Sequence, residues 1–279
     1  MPLTLASIHI YPVKGLKGID VREARCTDRG FEFDRRFMVV TPDGMFISQR
    51  SHPRMATIWT DLAGDTLELA APDQPPLEVP LRPAGEASER VVVWRSTVDA
   101  VAVSREADAW LSEALGSACR LMYMPDASER LSNEQYAGPG KRVSFADGYA
   151  YLVIGSASLQ DLNARLAKNL HPPLPMNRFR PSIVVEGSAP YAEDGWRTVS
   201  FGEARLRGVK PCGRCEVTTT DQSTGDVRGP EPLATLATYR SSDEFGVMFG
   251  MNFVTEAEGR IAVGDQVVPE RGDSSKERR

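Results

Sequence analysis

Cysteine is scarce in this chain: Cys26, Cys119, Cys212 and Cys215 are the four in 279 residues. Four scattered thiols cannot staple a fold of this size, so a reducing cytoplasm is the expected compartment. Long apolar runs are missing as well. Nothing approaches the ~18 residues of a membrane-crossing helix, so no membrane partner is expected. Met1-Pro2-Leu3-Thr4 has no charged segment before an apolar core, so no signal peptide is read.

A basic excess is absent too. Lys and Arg number 33 against 38 Asp and Glu, a formal net charge of −5, which argues against a nucleic-acid partner. It leaves room for a local cationic pocket that takes a small anion. There is no G-x-G-x-x-G fingerprint and no P-loop, so nucleotide-dependent chemistry has no local support. No G-x-S-x-G elbow marks a serine nucleophile. His9, His52 and His171 stand in contexts that suit surface or packing.

What is present is a chain of short strands. Leu3 to Ile10 reads as a strand, followed by a loop with Lys14, Gly15, Lys17 and Gly18. Asp34 to Val40 leads through the turn Pro42-Asp43-Gly44 to Phe46 and Ile47, a hairpin. Met55 to Asp61 and Thr66 to Leu69 form a second hairpin, and Pro72 to Pro83 is read as irregular. Val91 to Trp94 and Val98 to Val103 are β-branched strands, and Ser104 caps a helix from Arg105 to Leu115 that Gly116 stops. Asp126 to Arg142 reads as a connecting loop or lid.

Ser158 with Asp161 resembles a capping box for a helix whose apolar stripe is Leu159, Leu162, Leu166 and Leu170. Ile183 to Val185, Arg197 to Phe201 and Ala204 to Val209 follow as strands, and the β-branched run Cys215 to Thr220 predicts another. Leu233 to Arg240 is a short helix; Phe249 to Thr255 and Ile261 to Val268 close the chain. A polar tail begins at Glu270. Many short strands with few helices indicate a mainly β fold with α elements (α+β), built as β-barrels with appended helices.

The chemistry gathers at Lys210-Pro211-Cys212-Gly213-Arg214-Cys215, followed by Glu216-Val217-Thr218-Thr219-Thr220-Asp221. Thiolate is the reactive form of cysteine, and neighbouring cations such as Lys210 and Arg214 favour it. A C-x-x-C alone fits a zinc half-site, a redox pair, a structural pair or a single thiolate ligand to a soft metal. Zinc would need two further ligands, and no matching pair is visible. A thioredoxin-type pair would open a helix, whereas the residues that follow favour a strand. A single thiolate would need its other metal ligands from a cofactor, and an anionic one suits the scattered cations Lys14, Arg36, Arg178 and Arg180.

Asn177-Arg178-Phe179-Arg180-Pro181-Ser182-Ile183-Val184-Val185, Tyr191-Ala192-Glu193-Asp194-Gly195-Trp196 and the thiol motif with Thr218-Thr219-Thr220-Asp221 resemble the MOSC family. The likeness is to its amidoxime-reducing-component branch, which includes bacterial reductases of N-hydroxylated bases. Tyr11-Pro12-Val13-Lys14-Gly15 and Asp34-Arg35-Arg36-Phe37 look like that branch's amino-terminal β-barrel signature. The resemblance runs from about Leu3 to Val268.

It implies a MOSC β-barrel with flanking helices and a smaller amino-terminal barrel: region 1–124, MOSC domain 125–269 and disordered tail 270–279. Residues 1–36 would pack with the MOSC core, leaving Phe37 to Met124 as an insertion-like unit.

The resemblance further implies a molybdenum cofactor (Mo-molybdopterin) with Cys215 as metal ligand and catalytic residue and Cys212 as its neighbour. Gly213 and Arg214 would contact the cofactor, Lys14, Gly15 and Arg36 would hold its phosphate and pterin end, and Arg180 would add a contact. Asp147 and Asn252 would line the site. Two positions depart from the animal pattern: Gly15 replaces a serine and Ser182 an asparagine, which implies a backbone N–H where a hydroxyl contact is usual.

The implied activity is reduction of amidoximes, hydroxylamines or N-hydroxy bases by oxygen-atom removal at molybdenum. The chain carries no flavin or haem motif, so the electrons would come from an external ferredoxin, flavodoxin or cytochrome b5-type protein with its reductase. The rival reading is a non-catalytic cofactor carrier or sulfur-transfer module.

Overall fold

A computed structural model describes residues 2–84 and 88–271. The fold is mainly β, with helices set against the sheets. The largest sheet runs, edge to edge, Val267–Arg271, Trp196–Phe201, Ala204–Gly213, Gly246–Ala257, Tyr151–Gly155, Ile183–Glu186, Thr4–Ile10 and Ile19–Val21. The edge strands Val267–Arg271 and Ile19–Val21 do not pair; a single bridge, Thr4 to Gln266, links Thr4–Ile10 to the residue before Val267–Arg271, so the anticipated barrel is an open one. Tyr151–Gly155 and Ile183–Glu186 are parallel, joined by the crossover helix Ser156–Lys168. Leu5, Ile8, Val153, Ile183, Phe201 and Phe253 fill the core of this sheet.

A second sheet orders Ser88–Val93, Ser96–Ala102, Arg120–Tyr123, Phe37–Val40 and Val13–Lys14. Its core holds Val13, Phe37, Val39, Leu67, Trp110 and Leu111. The chain therefore leaves the large sheet at Ile10 and enters the second sheet at Val13, where Val13–Lys14 pairs in parallel with Phe37–Val40. That short passage puts Lys14 at the seam between the two bodies.

Local chemistry sets several elements where the sequence places them. Helix Arg105–Leu115 starts where Ser104 Oγ accepts from Ala107 N at 3.0 Å and ends at Gly116 with φ 65°. The Pro42-Asp43-Gly44 turn closes with Thr41 N donating to Met45 O, although the return limb is reduced to the single bridge Val40 to Phe46. The strands Trp59–Ala63 and Thr66–Ala70 form the second hairpin.

Other elements differ from expectation. The proline-rich stretch contains the strand Leu77–Pro80, paired with Thr66–Ala70 at a sheet edge where proline is tolerated. Its buried Leu77 and Val79 alternate with exposed Glu78 and Pro80. The 126–142 connection holds a short helix, Glu134–Ala137. The crossover helix begins two residues before Ser158, with Gly155 at its N-cap position. Ser158 is fully buried and donates to Glu193 Oε1 at 2.7 Å, so a tertiary carboxylate has claimed the hydroxyl expected to cap. Leu162 and Leu166 are buried, while Leu170 lies past the helix end, exposed.

The run after Cys215 is a 3-10 turn, Glu216–Thr219, in place of the expected strand. Thr218 Oγ1 donates to Cys215 O and Thr219 Oγ1 to Glu216 O, local bonds that outweigh the β preference of threonine. Glu270 and Arg271 belong to the edge strand Val267–Arg271. The rest of the expected tail, 272–279, lies outside the described residues.

A candidate anion and cofactor site between the two sheets

One cavity collects Lys14, Gly15, Asp147, Arg180, Cys212, Arg214, Cys215 and Asn252. Lys14 arrives from the second sheet, Arg180 from the turn after Met176–Phe179, and the thiols from the end of Ala204–Gly213 and the residues beyond it. Cys215 is the N-cap residue of the 3-10 turn, its carbonyl accepting from Thr218 N. Arg178 does not line the cavity. Its guanidinium is buried behind the thiol loop, donating to Thr219 O at 2.7 Å and facing Asp221 at 3.3 Å.

Gly15 has φ 85°, and a Cβ there would stand 2.8 Å from Met55 Cε. Gly213 does not line the cavity, and its missing Cβ lets the backbone pass close to Phe245 O. Arg36 is also elsewhere: its guanidinium binds Met124 O and Asp126 Oδ1 at the inter-sheet connection. Its neighbour Arg35 enters the cavity instead. Arg35 adopts φ 50°, a left-handed backbone at which adjacent side chains do not follow simple strand alternation.

Behind the cavity the cations are fixed by protein groups. Arg35 Nη1 pairs with buried Asp34 Oδ2 at 2.5 Å, and Asp34 Oδ1 accepts from Tyr11 N. The Arg35 and Arg180 guanidiniums each stand 4.3 Å from the Tyr11 ring centroid. Arg180 also donates to Leu16 O at 2.7 Å. Burial lowers its pKa to about 10 and raises that of the Tyr11 phenol to about 12.

Asp147 Oδ1 accepts from Lys14 Nζ at 2.5 Å and from Trp94 Nε1 at 3.1 Å. Its carboxylate opens to solvent but is ringed by protein, which pushes its pKa up. Lys14 and the indole N–H outweigh that and hold it below the usual carboxylate range. Burial pulls Lys14 down against the attraction of Asp147. The 144–147 segment is fastened by Arg130, which donates to the carbonyls of Ser144, Ala146 and Asp147.

Each thiol has a guanidinium beside it. Arg214 Nη1 donates to Cys212 Sγ at 2.9 Å, and its Nη2 to Phe179 O at 2.8 Å. Its Nε is buried without a partner. Arg50 faces Cys215: burial pulls its pKa down, and Cys215, Asp147 and Glu216 more than compensate.

Residues 2–118 match the MOSC N-terminal beta barrel domain and residues 140–268 the MOSC domain. The mouse protein "Mitochondrial amidoxime-reducing component 1" is 35% identical over 280 residues, covering 95% of this chain and 81% of the relative. The chain belongs to the MOSC family. The human protein of the same name is 34% identical, with 95% and 82% covered. The rice "Molybdenum cofactor sulfurase" is 31% identical over 291 residues, covering 95% of this chain but only 35% of that longer protein.

In this MOSC protein five cations line the cavity (Lys14, Arg35, Arg50, Arg180 and Arg214) against one carboxylate, Asp147. Counted formally that is five less one, or +4, in a chain whose net charge is −5. A low-dielectric recess with such an excess stabilises an anion. Sequence reasoning missed Arg35, Arg50 and Trp94. Arg35 had a visible signal in the Asp34-Arg35-Arg36 run, whereas Arg50 and Trp94 reach the site only through the packing of the second sheet. No set of three or more His, Cys, Asp or Glu is gathered for a metal among the described residues, and no helix there is long and apolar enough to cross a membrane.

Proposed function

We propose that this protein holds the molybdenum cofactor in the cavity and uses it to reduce N-hydroxylated compounds, with Cys215 as the protein ligand to the metal. The observation that carries the reading is the juxtaposition of two thiols with a +4 lining in an acidic chain. The residues present fit such a group. Soft thiolate suits molybdenum, and fixed guanidiniums suit a phosphate and an anionic dithiolene. The buried, partnerless Arg214 Nε leaves a donor for it. Homology to proteins named amidoxime-reducing components and molybdenum cofactor sulfurase supports the same cofactor.

In this reading Lys14, Arg35 and Arg180 hold the phosphate and pterin end, with Gly15 offering backbone N–H. Arg35 takes the part that Arg36 was expected to play. Arg214 engages Cys212 Sγ and Arg50 faces Cys215, so each thiol has a cation that favours the thiolate, and the ligand role goes to Cys215 because the family resemblance implies it. Asn252, whose amide is tied to Pro211 O, and Asp147 border the substrate side, and Gly213 shapes the loop from behind. When bound, the cofactor supplies two-electron oxygen-atom removal, and the protein supplies orientation and charge. Arg35 and Arg180 remain cationic at neutral pH, so they would keep a bound anion held and oriented. Electrons come from an external donor of ferredoxin, flavodoxin or cytochrome b5 type, in a reducing cytoplasm where both thiols stay free.

The test is molybdenum and pterin analysis of the purified protein beside Cys215→Ser and Cys212→Ser, with turnover of benzamidoxime to benzamidine under chemical reductant. Wild-type protein and Cys212→Ser should hold molybdenum, and Cys215→Ser should lose it. Equal molybdenum in Cys215→Ser sinks the ligand assignment. Full occupancy without turnover would instead favour the rival, a non-catalytic cofactor carrier or sulfur-transfer module.

A further inference from the structure

The tip of the hairpin Ser88–Val93 and Ser96–Ala102 is built against local preference. Val93 pairs with Ser96, so Trp94 and Arg95 form a two-residue loop. Trp94 is its first central residue, with φ 56°. Positive φ there is the ordinary place of glycine, and a bulky side chain in that region is an outlier. The ring is not hidden in compensation: Trp94 is 37% exposed, at the mouth of the cavity that holds Cys215.

Four contacts fix the indole. Its N–H is bonded to Asp147 across the seam between the sheets. The Phe46 ring packs beside it, centroids 4.8 Å apart and planes inclined by 52°. Phe46 is itself pinned to the same hairpin, its N–H donating to Val92 O at 3.0 Å. Arg50 stands 4.6 Å from the Trp94 ring centroid and Lys14 5.7 Å. A strained aromatic, held at a cavity mouth by a hydrogen bond to Asp147, is stored conformational energy at a functional position.

We infer that Trp94, with Phe46, is a stacking platform that selects flat, uncharged aromatic substrates over aliphatic ones. The inference rests on the proposed reduction of N-hydroxylated compounds and assigns the residues that rank substrates within that class, favouring those built on conjugated rings. Their conjugated rings stack on an indole face. Arg50 and Lys14 at the same rings disfavour a cationic substrate, which supplies selectivity by repulsion as well as by attraction. Trp94 acts as a specificity residue and takes no part in the oxygen removal.

The experiment compares wild type, Trp94→Gly and Trp94→Phe in the cofactor-loaded protein. Trp94→Gly removes the ring and relieves the backbone, so its melting temperature should equal or exceed that of wild type. Its kcat/KM ratio for benzamidoxime over acetamidoxime should fall roughly tenfold, carried mainly by KM. Trp94→Phe should recover most of that ratio. Benzamidoxime should also quench tryptophan emission saturably in wild type and not in Trp94→Phe.

Loss of molybdenum or pterin in Trp94→Gly would make the ring a cofactor wall and overturn the platform, as would an unchanged substrate ratio. If wild type turns over neither amidoxime, the reductase reading fails on its own. The quenching titration still decides the platform, and absence of Trp94-dependent quenching rejects it.

Discussion

Lys14 Nζ and Asp147 Oδ1 lie 2.5 Å apart although 133 positions separate them in the chain. Lys14 is buried on the second sheet, and Asp147 sits on the segment before Tyr151–Gly155 in the large one. The pair clasps the two bodies at the cavity and supplies its one carboxylate. Removing that carboxylate by Asp147→Asn should have two opposed effects. The free protein loses the partner of a buried ammonium, so its melting temperature falls. The cavity gains net positive charge, so inorganic phosphate binds several-fold more tightly. Calorimetric titration beside a thermal scan checks both, and phosphate affinity equal to or below wild type would contradict the charge account.

Crowded cations should also make the protein respond to anions. At about ten times its dissociation constant, phosphate adds ~1.4 kcal/mol to stability, which is roughly 3–5 °C for a protein of this size. Chloride at matched ionic strength should not reproduce the shift. The sign with pH follows from Arg180, whose folded pKa is lowered to about 10. A depressed basic pKa means that its charge opposes folding below about pH 10, and that opposition fades as pH rises through 10. The benefit of phosphate needs the charged form, so it is present at neutral pH and is lost through the same window. A phosphate shift that persists undiminished at pH 11 would rule out this cause.

Arg178 is placed to organise the thiol loop without touching the cavity. Arg178→Met would strip donors from Thr219 O and Asp221, at a cost of about 1–3 kcal/mol. The loop that presents Cys215 should loosen, so molybdenum retention after dialysis should drop while the cooperative unfolding transition survives. Urea denaturation and metal analysis read the two effects separately. Wild-type retention with wild-type stability would show that the loop stands without Arg178.

Stability far from the site should follow local rules. Ser104→Ala removes the side-chain cap at Ala107 N, which costs about 1 kcal/mol. Gly116→Ala forces a Cβ into φ 65°, a penalty of about 1–2 kcal/mol. Neither should alter molybdenum content. Unfolding free energies from denaturant titration that change by less than ~0.3 kcal/mol would mean that tertiary packing holds this helix regardless of its ends.

The helix Arg105–Leu115 was legible because a cap, a period and a terminal glycine are all encoded within one short stretch. The crossover helix was legible only in its middle. Leu162 and Leu166 announce a buried stripe, but Glu193, far along the chain, drew Ser158 inward and moved the start. The strand Leu77–Pro80 left a trace in its period of two that the surrounding prolines concealed.

By itself the sequence determined the family, the mainly β class, the thiol motif and the cationic residues around it. These are matters of residue type and near spacing. Tertiary structure decided that Arg35 and not Arg36 enters the cavity, that Glu216–Thr219 is a turn, and that Arg50 and Trp94 arrive from turns, one beyond Ile47 and one at the tip of the hairpin Ser88–Val93 and Ser96–Ala102. The physical reason is range. Caps, turns and periods act over a few residues. A cavity charge of +4 and a strained indole at its mouth exist only after strands remote in sequence have paired.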